Sequence, residues 1–324
     1  MRVADRRQVT LRWAGRGENP PDGLAKPPGE PVLQQPDGST LFFGDNLSTL
    51  RALKRTHAGK VTLAYLDPPF LTGRVHEAIS KAAGVRAMRA AFDDRWADKA
   101  SYLDSIGQRL EAVRELLAPH GSVVLHVDPK TSHYLKVLCD EIFGDDAFAS
   151  EIVWRYRRWP AKTPNFQRVH DVLLRYRKDP DVPPRFNPLY EPLAPSTLAT
   201  WGTGKQRAVF AKDGKRLRSQ TTKERTPGVP MGDVWDIGVI APVSKERTGY
   251  PSQKPEALLE RIVTALSDSG EWVLDPYAGS GTTLAVAARL GRKFLGIDAS
   301  PVALETLLAR LRRESKPVAT ARLA

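Results

Sequence analysis

Three apolar runs in this chain stop on an aspartate: VTLAYL before Asp67, WVL before Asp275 and KFLGI before Asp298. Each is too short for a typical helix and has the composition of a buried strand. Helical patterns lie between and beyond them. Leu47, Leu50 and Leu53 recur at helical spacing, and Ser101–Leu117 and Ser132–Phe143 carry the same periodicity. The second of these three is expected to stop at Pro119-His120-Gly121 and the third at Gly144. Further on, Pro255–Leu266 reads as a helix with Pro255 in its first turn, GTTLAVAARLG as a helix closed by Gly291, and SPVALETLLARLRR as a terminal helix opening on Ser300-Pro301. TLFF, GSVVLHV, EIVWRYRR and DVLLRYRK complete the set of strands. Strands alternating with helices specify an α/β fold: a mostly parallel sheet with helices on both faces.

The pattern lapses in two places. Residues 1–37, rich in NPPDG and KPPGEP text, read as a poorly ordered or surface-lying extension. After Asp179 the chain becomes irregular, proline-rich and basic until about Arg247. The implied parts are an extension (1–37), a first half of the α/β domain (38–180), an irregular insert (181–247), a second half (248–315) and a tail (316–324).

Charge points to the partner. The 324 residues carry 49 Lys and Arg against 37 Asp and Glu, a net +12. Residues 151–247 alone hold 19 basic and 10 acidic side chains, a net +9. Trp154, Tyr156, Trp159, Phe166, Phe186 and Trp201 are interleaved with them. Phosphate contacts and base stacking use this combination, so nucleic acid is the expected ligand, with some of the rings in the core. The sequence has no apolar run long enough for a membrane helix, no signal-like N-terminus and one cysteine, which together favour a reducing cytoplasm. That cysteine, Cys139, falls at helical spacing with Leu135 and Ile142, as a core thiol would. The six histidines show no metal-ligand spacing, so no metal is expected.

Two of the strand ends carry chemistry. In LDPPF the acid is followed by two prolines and a ring, which makes either a plain turn or a rigid platform holding one carboxylate and one ring at a cleft. In VLDPYAGSGTT an acid is followed by a small-residue loop and a helix, where glycines permit close approach of a ligand and the helix offers unpaired N–H groups. This is either a cofactor loop or a tight βα turn. Its spacing departs from the dinucleotide pattern GxGxxG, which speaks against a nicotinamide oxidoreductase.

DPYAGSGTT resembles the S-adenosylmethionine loop of amino-methylating DNA methyltransferases, and LDPPF resembles their catalytic motif. YPSQKP (Tyr250–Pro255) and GSVVLHVDPKTSHYLKVLCDEIFG are similar to further segments of that family. With the catalytic motif first and the cofactor loop last, the order resembles the beta group, a circular permutation of the Rossmann-like methyltransferase fold, here with an irregular target-recognition insert. The matching text runs from about Leu41 to Leu311.

The resemblance implies a catalytic set of Asp67, Pro68, Pro69 and Phe70. Around the cofactor it implies Asp45 and Asn46, Lys254 toward the methionine carboxylate, the loop Asp275, Pro276, Tyr277, Ala278, Gly279, Ser280, Gly281, Thr282 and Thr283, and Asp298 on the ribose. The alternatives are an Asx turn after a strand for Asp45 and a solvated lysine at a helix start for Lys254. DNA contacts are expected from Lys205, Arg207, Lys212, Lys215, Arg216, Arg218, Lys223 and Arg225. The implied activity is methylation of adenine N6 in double-stranded DNA, in the cytoplasm at the nucleoid. Cytosine N4 and a non-catalytic DNA-binding module are the alternatives. The absence of a Pro-Cys pair argues against C5-cytosine chemistry. A homodimer and a separately encoded restriction endonuclease are compatible partners, since no nuclease or helicase segment is recognisable in the chain.

Overall fold

A computed structural model of the chain describes residues 9–13, 16, 26–82, 85–160, 162 and 164–314. The rest of the N-terminal extension and the 316–324 tail lie outside the described residues. In chain order the elements begin with β1 (Glu30–Gln34), β2 (Thr40–Phe43), α1 (Asn46–His57) and β3 (Val61–Leu66). A hairpin of β4 (Val75–Ala82) and β5 (Val85–Asp93) follows, then α2 (Lys99–Leu116), β6 (Leu117–Val127), α3 (Ser132–Phe143), β7 (Phe148–Arg155) and β8 (His170–Arg177). Next come β9 (Tyr190–Glu191), α4 (Pro195–Trp201), β10 (Gly204–Phe210), β11 (Arg216–Arg225), β12 (Val229–Pro230) and β13 (Val234–Asp236). The chain finishes with α5 (Glu256–Leu266), β14 (Trp272–Asp275), α6 (Thr282–Arg289), β15 (Lys293–Asp298) and α7 (Pro301–Glu314).

Nine of the described strands form one sheet in the order β1-β2-β15-β14-β3-β6-β8-β7-β13. The five pairings β2–β15, β15–β14, β14–β3, β3–β6 and β7–β13 are parallel, and the other three are antiparallel. β3 is buried along its whole length, as a central strand covered on both faces must be. Leu47, Leu50 and Leu53 of α1 and Leu103, Ile106, Leu110 and Val113 of α2 pack into the core cluster built on that sheet. Asp45 starts α1 by accepting a hydrogen bond from Ser48 N at 2.8 Å, and Asp98 does the same for α2 with Ser101 N at 2.7 Å.

The structure departs from the sequence reading at several points. α2 ends at Leu116, and β6 starts at Leu117 and takes in Pro119 and His120 rather than starting at Gly121. The strand tolerates this proline because its register breaks there: Val61 pairs with Leu117 but Leu63 pairs with Ser122, so the proline sits in an irregular stretch outside the ladder. Pro255 caps α5 from outside instead of occupying its first turn. Within the N-terminal extension, β1 is a sheet strand, and the described residues before it lie on the surface of the domain. Leu11 N donates to Glu141 Oε1 at 2.5 Å and Trp13 Nε1 to Asp104 Oδ2 at 3.2 Å. The stretch after Asp179 is less irregular than its composition suggests.

Two compact units are present. Asn187–Gly232 forms the smaller, and the remaining described residues form the larger. The smaller holds the antiparallel hairpin β10–β11, the short pair β9–β12 and α4.

Candidate active site

β3, β14 and β15 run parallel, so Asp67, Asp275 and Asp298 arrive at the same edge of the sheet. There a cavity of about 610 Å³ opens, lined by all three acids. Every residue expected in the catalytic and cofactor sets lines it except Gly281. That glycine has φ +75°, and a β-carbon on it would lie 2.6 Å from Leu307 Cγ, so α7 occupies its open side. Gly279, with φ +50°, does face the cavity, and a β-carbon there would approach the Tyr250 ring to 3.3 Å.

The acids differ in environment. Asp275 is 2% exposed and accepts from Tyr277 N at 3.0 Å. Burial pushes its carboxyl up to about 7, against the opposing hydrogen bonds from Thr283 and Tyr277 and with the nearby charges of Asp67 and Asp298 adding to the rise. Burial likewise raises Asp298, whose two oxygens accept from Gly279 N at 2.7 Å and Ser300 N at 2.8 Å. Asp67 is more open. Its Oδ2 accepts from Lys254 Nζ at 2.5 Å, and Lys254 Nζ also stands 5.0 Å from the centre of the Phe70 ring. The other oxygen, Oδ1, is buried and has no hydrogen-bond partner. Lys254 is therefore the counter-charge of Asp67 within the protein.

The cavity thus combines a carboxylate and a ring at one rigid strand end with a small-residue loop at the next. A family model described as DNA methylase, of the N6/N4 type, matches residues 61–309. The chain belongs to this family. The DNA adenine methyltransferase YhdJ of Escherichia coli (strain K12) is 29% identical over 283 residues, covering 87% of this chain and 85% of that protein. Among solved structures, the cytosine-N4-specific PvuII DNA methyltransferase aligns with a TM-score of 0.57 at 15% identity, covering 87% of this chain and 89% of that one. The M1.HpyAVI–SAM complex aligns with a TM-score of 0.50 at 18% identity, covering 84% and 98%. Both likenesses are likenesses of fold.

Beneath the Asp67 motif the methylase carries a buried polar chain. His126, fully buried on β6, has Nδ1 at 2.8 Å from the Tyr65 hydroxyl and Nε2 at 3.2 Å from Asp171 Oδ2. Tyr156 donates to the other Asp171 oxygen at 2.8 Å. Burial alone would raise the Asp171 carboxyl, but the hydrogen bond and charge of His126, with help from Lys254 and Tyr156, hold it below the ordinary value. An ionised Asp171 can only accept, so His126 donates from Nε2 and, with Nδ1 unprotonated, accepts the hydrogen bond that the Tyr65 hydroxyl donates. His126 Nδ1 lies 4.0 Å from Asp67 Oδ1, and its ring is 5.6 Å from that of Phe70.

Asp45 and Asn46 reach the cavity from the start of α1. Asn46 Nδ2 donates to Pro276 O at 2.9 Å and its Oδ1 accepts from Arg109 Nε at 2.6 Å, which ties α1 to the glycine loop. Arg109, His126, Asp171 and Asp94 are site-shaping residues of the methylase that the sequence reading did not single out. Each has a partner 22 to 63 residues away in the chain, which no local spacing announces.

All eight basic residues expected to contact DNA fall on β10, β11 or the turn between them. Lys205, Arg207, Lys212, Lys215, Arg216, Lys223 and Arg225 are exposed. Of the rings in the basic segment, Trp154 and Tyr156 are core residues at 3% and 4% exposure, whereas Trp159 and Phe166 are open to solvent. Among the described residues, no group of three or more His, Cys, Asp or Glu side chains could hold a metal ion, and no helix is long and apolar enough to cross a membrane.

Proposed function

We propose that this methylase transfers a methyl group from S-adenosylmethionine to the N6 amine of an adenine flipped out of double-stranded DNA. The observation that carries the reading is the pairing, in one cavity, of the Asp67–Phe70 strand end with the glycine loop after Asp275. The adenine choice is supported by the relationship to a DNA adenine methyltransferase across most of both chains.

The cavity suits the cofactor. Gly279 presents bare backbone toward it, in a position where a side chain would meet Tyr250. Asp275 and Asp298 would face the amino acid and ribose parts, Lys254 stands where it can attract a carboxylate, and Asp45 and Asn46 would border the adenine. The bound cofactor supplies a methyl group on a sulfonium, which needs no further activation.

The protein's task is the nucleophile. An exocyclic amine is weak because its lone pair is delocalised into the ring. Two acceptors on its N–H bonds keep that lone pair aimed at the methyl carbon. Asp67 provides one through the carboxylate it presents at the cavity, where Lys254 holds Oδ2. The Pro68 carbonyl provides the other, its direction limited by the fixed φ of Pro68 and Pro69. Phe70 stacks on the base, recovering part of the few kcal/mol that flipping costs. As the N–C bond forms and the C–S bond breaks, the nitrogen becomes cationic and releases one proton toward Asp67 and solvent. Catalysis of this kind is positioning and electrostatics.

The enzyme would act in the cytoplasm at the nucleoid, with a second copy of the chain or a separately encoded endonuclease as compatible partners. The test is nucleoside mass spectrometry of unmethylated genomic DNA incubated with protein and cofactor. N6-methyladenine is expected. N4-methylcytosine alone overturns the choice of base, and no methylated nucleoside from any DNA overturns catalysis and leaves a DNA-binding module.

A further inference from the structure

The loop after β3 wraps around one buried carboxylate. Asp94, which follows β5 directly, has a side chain only 1% exposed. Its Oδ1 accepts from Leu71 N at 2.9 Å and Trp96 Nε1 at 3.1 Å, and its Oδ2 from Phe70 N at 3.2 Å, Thr72 N at 2.8 Å and Thr72 Oγ1 at 2.6 Å. Its backbone is held as well: Gly73 N donates to Asp94 O and Asp94 N to Arg74 O, each at 3.0 Å.

Three consecutive amides can converge on one anion only where the backbone changes hand between them. Leu71 supplies that change, with φ +57°. A leucine is strained there, because its β-carbon crowds the carbonyl that follows. Something must over-determine the conformation, and the Asp94 carboxylate is the group that rewards it. Phe70, whose ring faces His126 and Lys254, is the residue immediately before the strained one.

We propose that Asp94 is a positioning residue for methyl transfer: by holding Leu71 left-handed it aims the Phe70 ring at the target base. This rests on the reading of Phe70 as the stacking ring. Asp94 does not act on substrate itself. Five donors fill its two oxygens, and almost none of it is exposed, so it has no acceptor left to offer an amine. His76 stands 3.9 Å from Oδ2 and reaches the cluster through Thr72 Oγ1 at 2.9 Å.

The test uses the full chain, unmethylated genomic DNA and radiolabelled cofactor. Asp94→Asn turns an amide NH₂ toward amides that are themselves donors. It is expected to lower kcat about a hundredfold, the scale of a small misplacement of a reacting group, with cofactor Kd by calorimetry changed less than about twofold. A purely structural role does not predict the second result. In the Asp94→Asn background, Leu71→Gly is expected to recover about tenfold in kcat, because glycine adopts a positive φ without strain. An Asp94→Asn variant that keeps wild-type kcat, that loses cofactor affinity in proportion to rate, or that gains nothing from Leu71→Gly overturns the inference. If Asp94→Asn does not fold, Thr72→Val removes one donor from an exposed position and is expected to lower kcat by about threefold to tenfold. Unchanged kcat there overturns the inference equally. A wild-type protein that moves no methyl group overturns the functional reading, and this inference with it. An active wild type with an unimpaired Asp94→Asn variant overturns this inference alone.

Discussion

Asp67 and Asp275 are the same residue type at the same sheet edge, yet their surroundings differ. Asp67 lines the cavity with a side chain 17% exposed and is ion-paired through Oδ2 to Lys254, which suits an acceptor for a substrate amine. Removing it should lower kcat by about 10²–10³-fold, the cost of losing one preorganised electrostatic contact to a reacting group, with cofactor affinity largely kept. Methyl-transfer assays on Asp67→Ala, paired with calorimetry, check this. A loss of cofactor binding that matches the loss of rate would place Asp67 in the cofactor site instead. Asp275 is buried, and its carboxyl rises to about 7. The folded protein then holds a proton there that the unfolded chain has already released, so between about pH 4 and pH 7 this residue's contribution to stability falls as pH rises. Asp275→Asn, which keeps an oxygen for Tyr277 N, should remove that slope. The stability of the variant relative to wild type should increase from pH 4 to pH 7, by up to about 4 kcal/mol at the limit set by a three-unit shift. Urea unfolding at pH 4, 5, 6 and 7 measures it, and a difference constant across that range would contradict the burial argument.

The elements show where local text is enough to reveal structure and where it is not. β3, β14 and β15 were legible because each is an apolar run ended by an acid, and α1 because its leucines recur at helical spacing; these signals lie within one element. The arm of β4 and β5 was not legible. Its text, VHEAISKA and VRAMRAAFD, mixes alanine with basic residues, and its support comes from far away. Ala78 and Ala91 pack on Val302, and Arg89 pairs with Glu305 at 2.8 Å across 216 residues. Yet this arm leads into Asp94 and brings Phe92 to the cavity wall, so part of the site's frame was hidden with it. The β10–β11 hairpin was missed for a similar reason: strongly charged strands lack the apolar alternation that marks a half-buried strand. At the start of helix α6, a glycine expected beside the ligand owes its place to packing. Gly281 opens the helix at positive φ against Leu307, away from the cavity lining. Gly281→Ala should therefore cost about 2–4 kcal/mol, from the left-handed backbone and the overpacked contact together. Denaturant unfolding gives the value, and an unchanged midpoint would remove α7 from the account.

At the scale of the whole molecule the question is how a chain of net charge +12 spends its excess. A net nine of those twelve charges falls in residues 151–247, and the hairpin β10–β11 of the smaller unit carries eight basic against two acidic side chains. Not all of its basic residues are free: Lys205 pairs with Glu224 at 3.0 Å and Lys215 with Asp213 at 3.2 Å. Exposed pairs of this kind contribute little to stability, so the hairpin can exchange them for phosphates at small cost. Each phosphate contact releases a counterion and steepens the dependence of affinity on salt by about 0.9 in log–log slope. Replacing Lys205, Arg207, Lys223 and Arg225 with glutamine should weaken DNA binding by a similar factor for every sequence and flatten that slope by up to about 3.6 if all four touch phosphate. It should leave cofactor affinity and the unfolding midpoint near wild type, because these side chains are exposed and lie outside the larger unit that contains the cavity. Fluorescence titrations of labelled duplex from about 50 to 200 mM salt resolve the slope, since a protein with several phosphate contacts loses orders of magnitude in affinity over that range. If the slope does not change, the hairpin's charge is surface charge only. The exposed Trp159 and Phe166, with Arg157 and Arg158 beside them, then become the next residues to substitute.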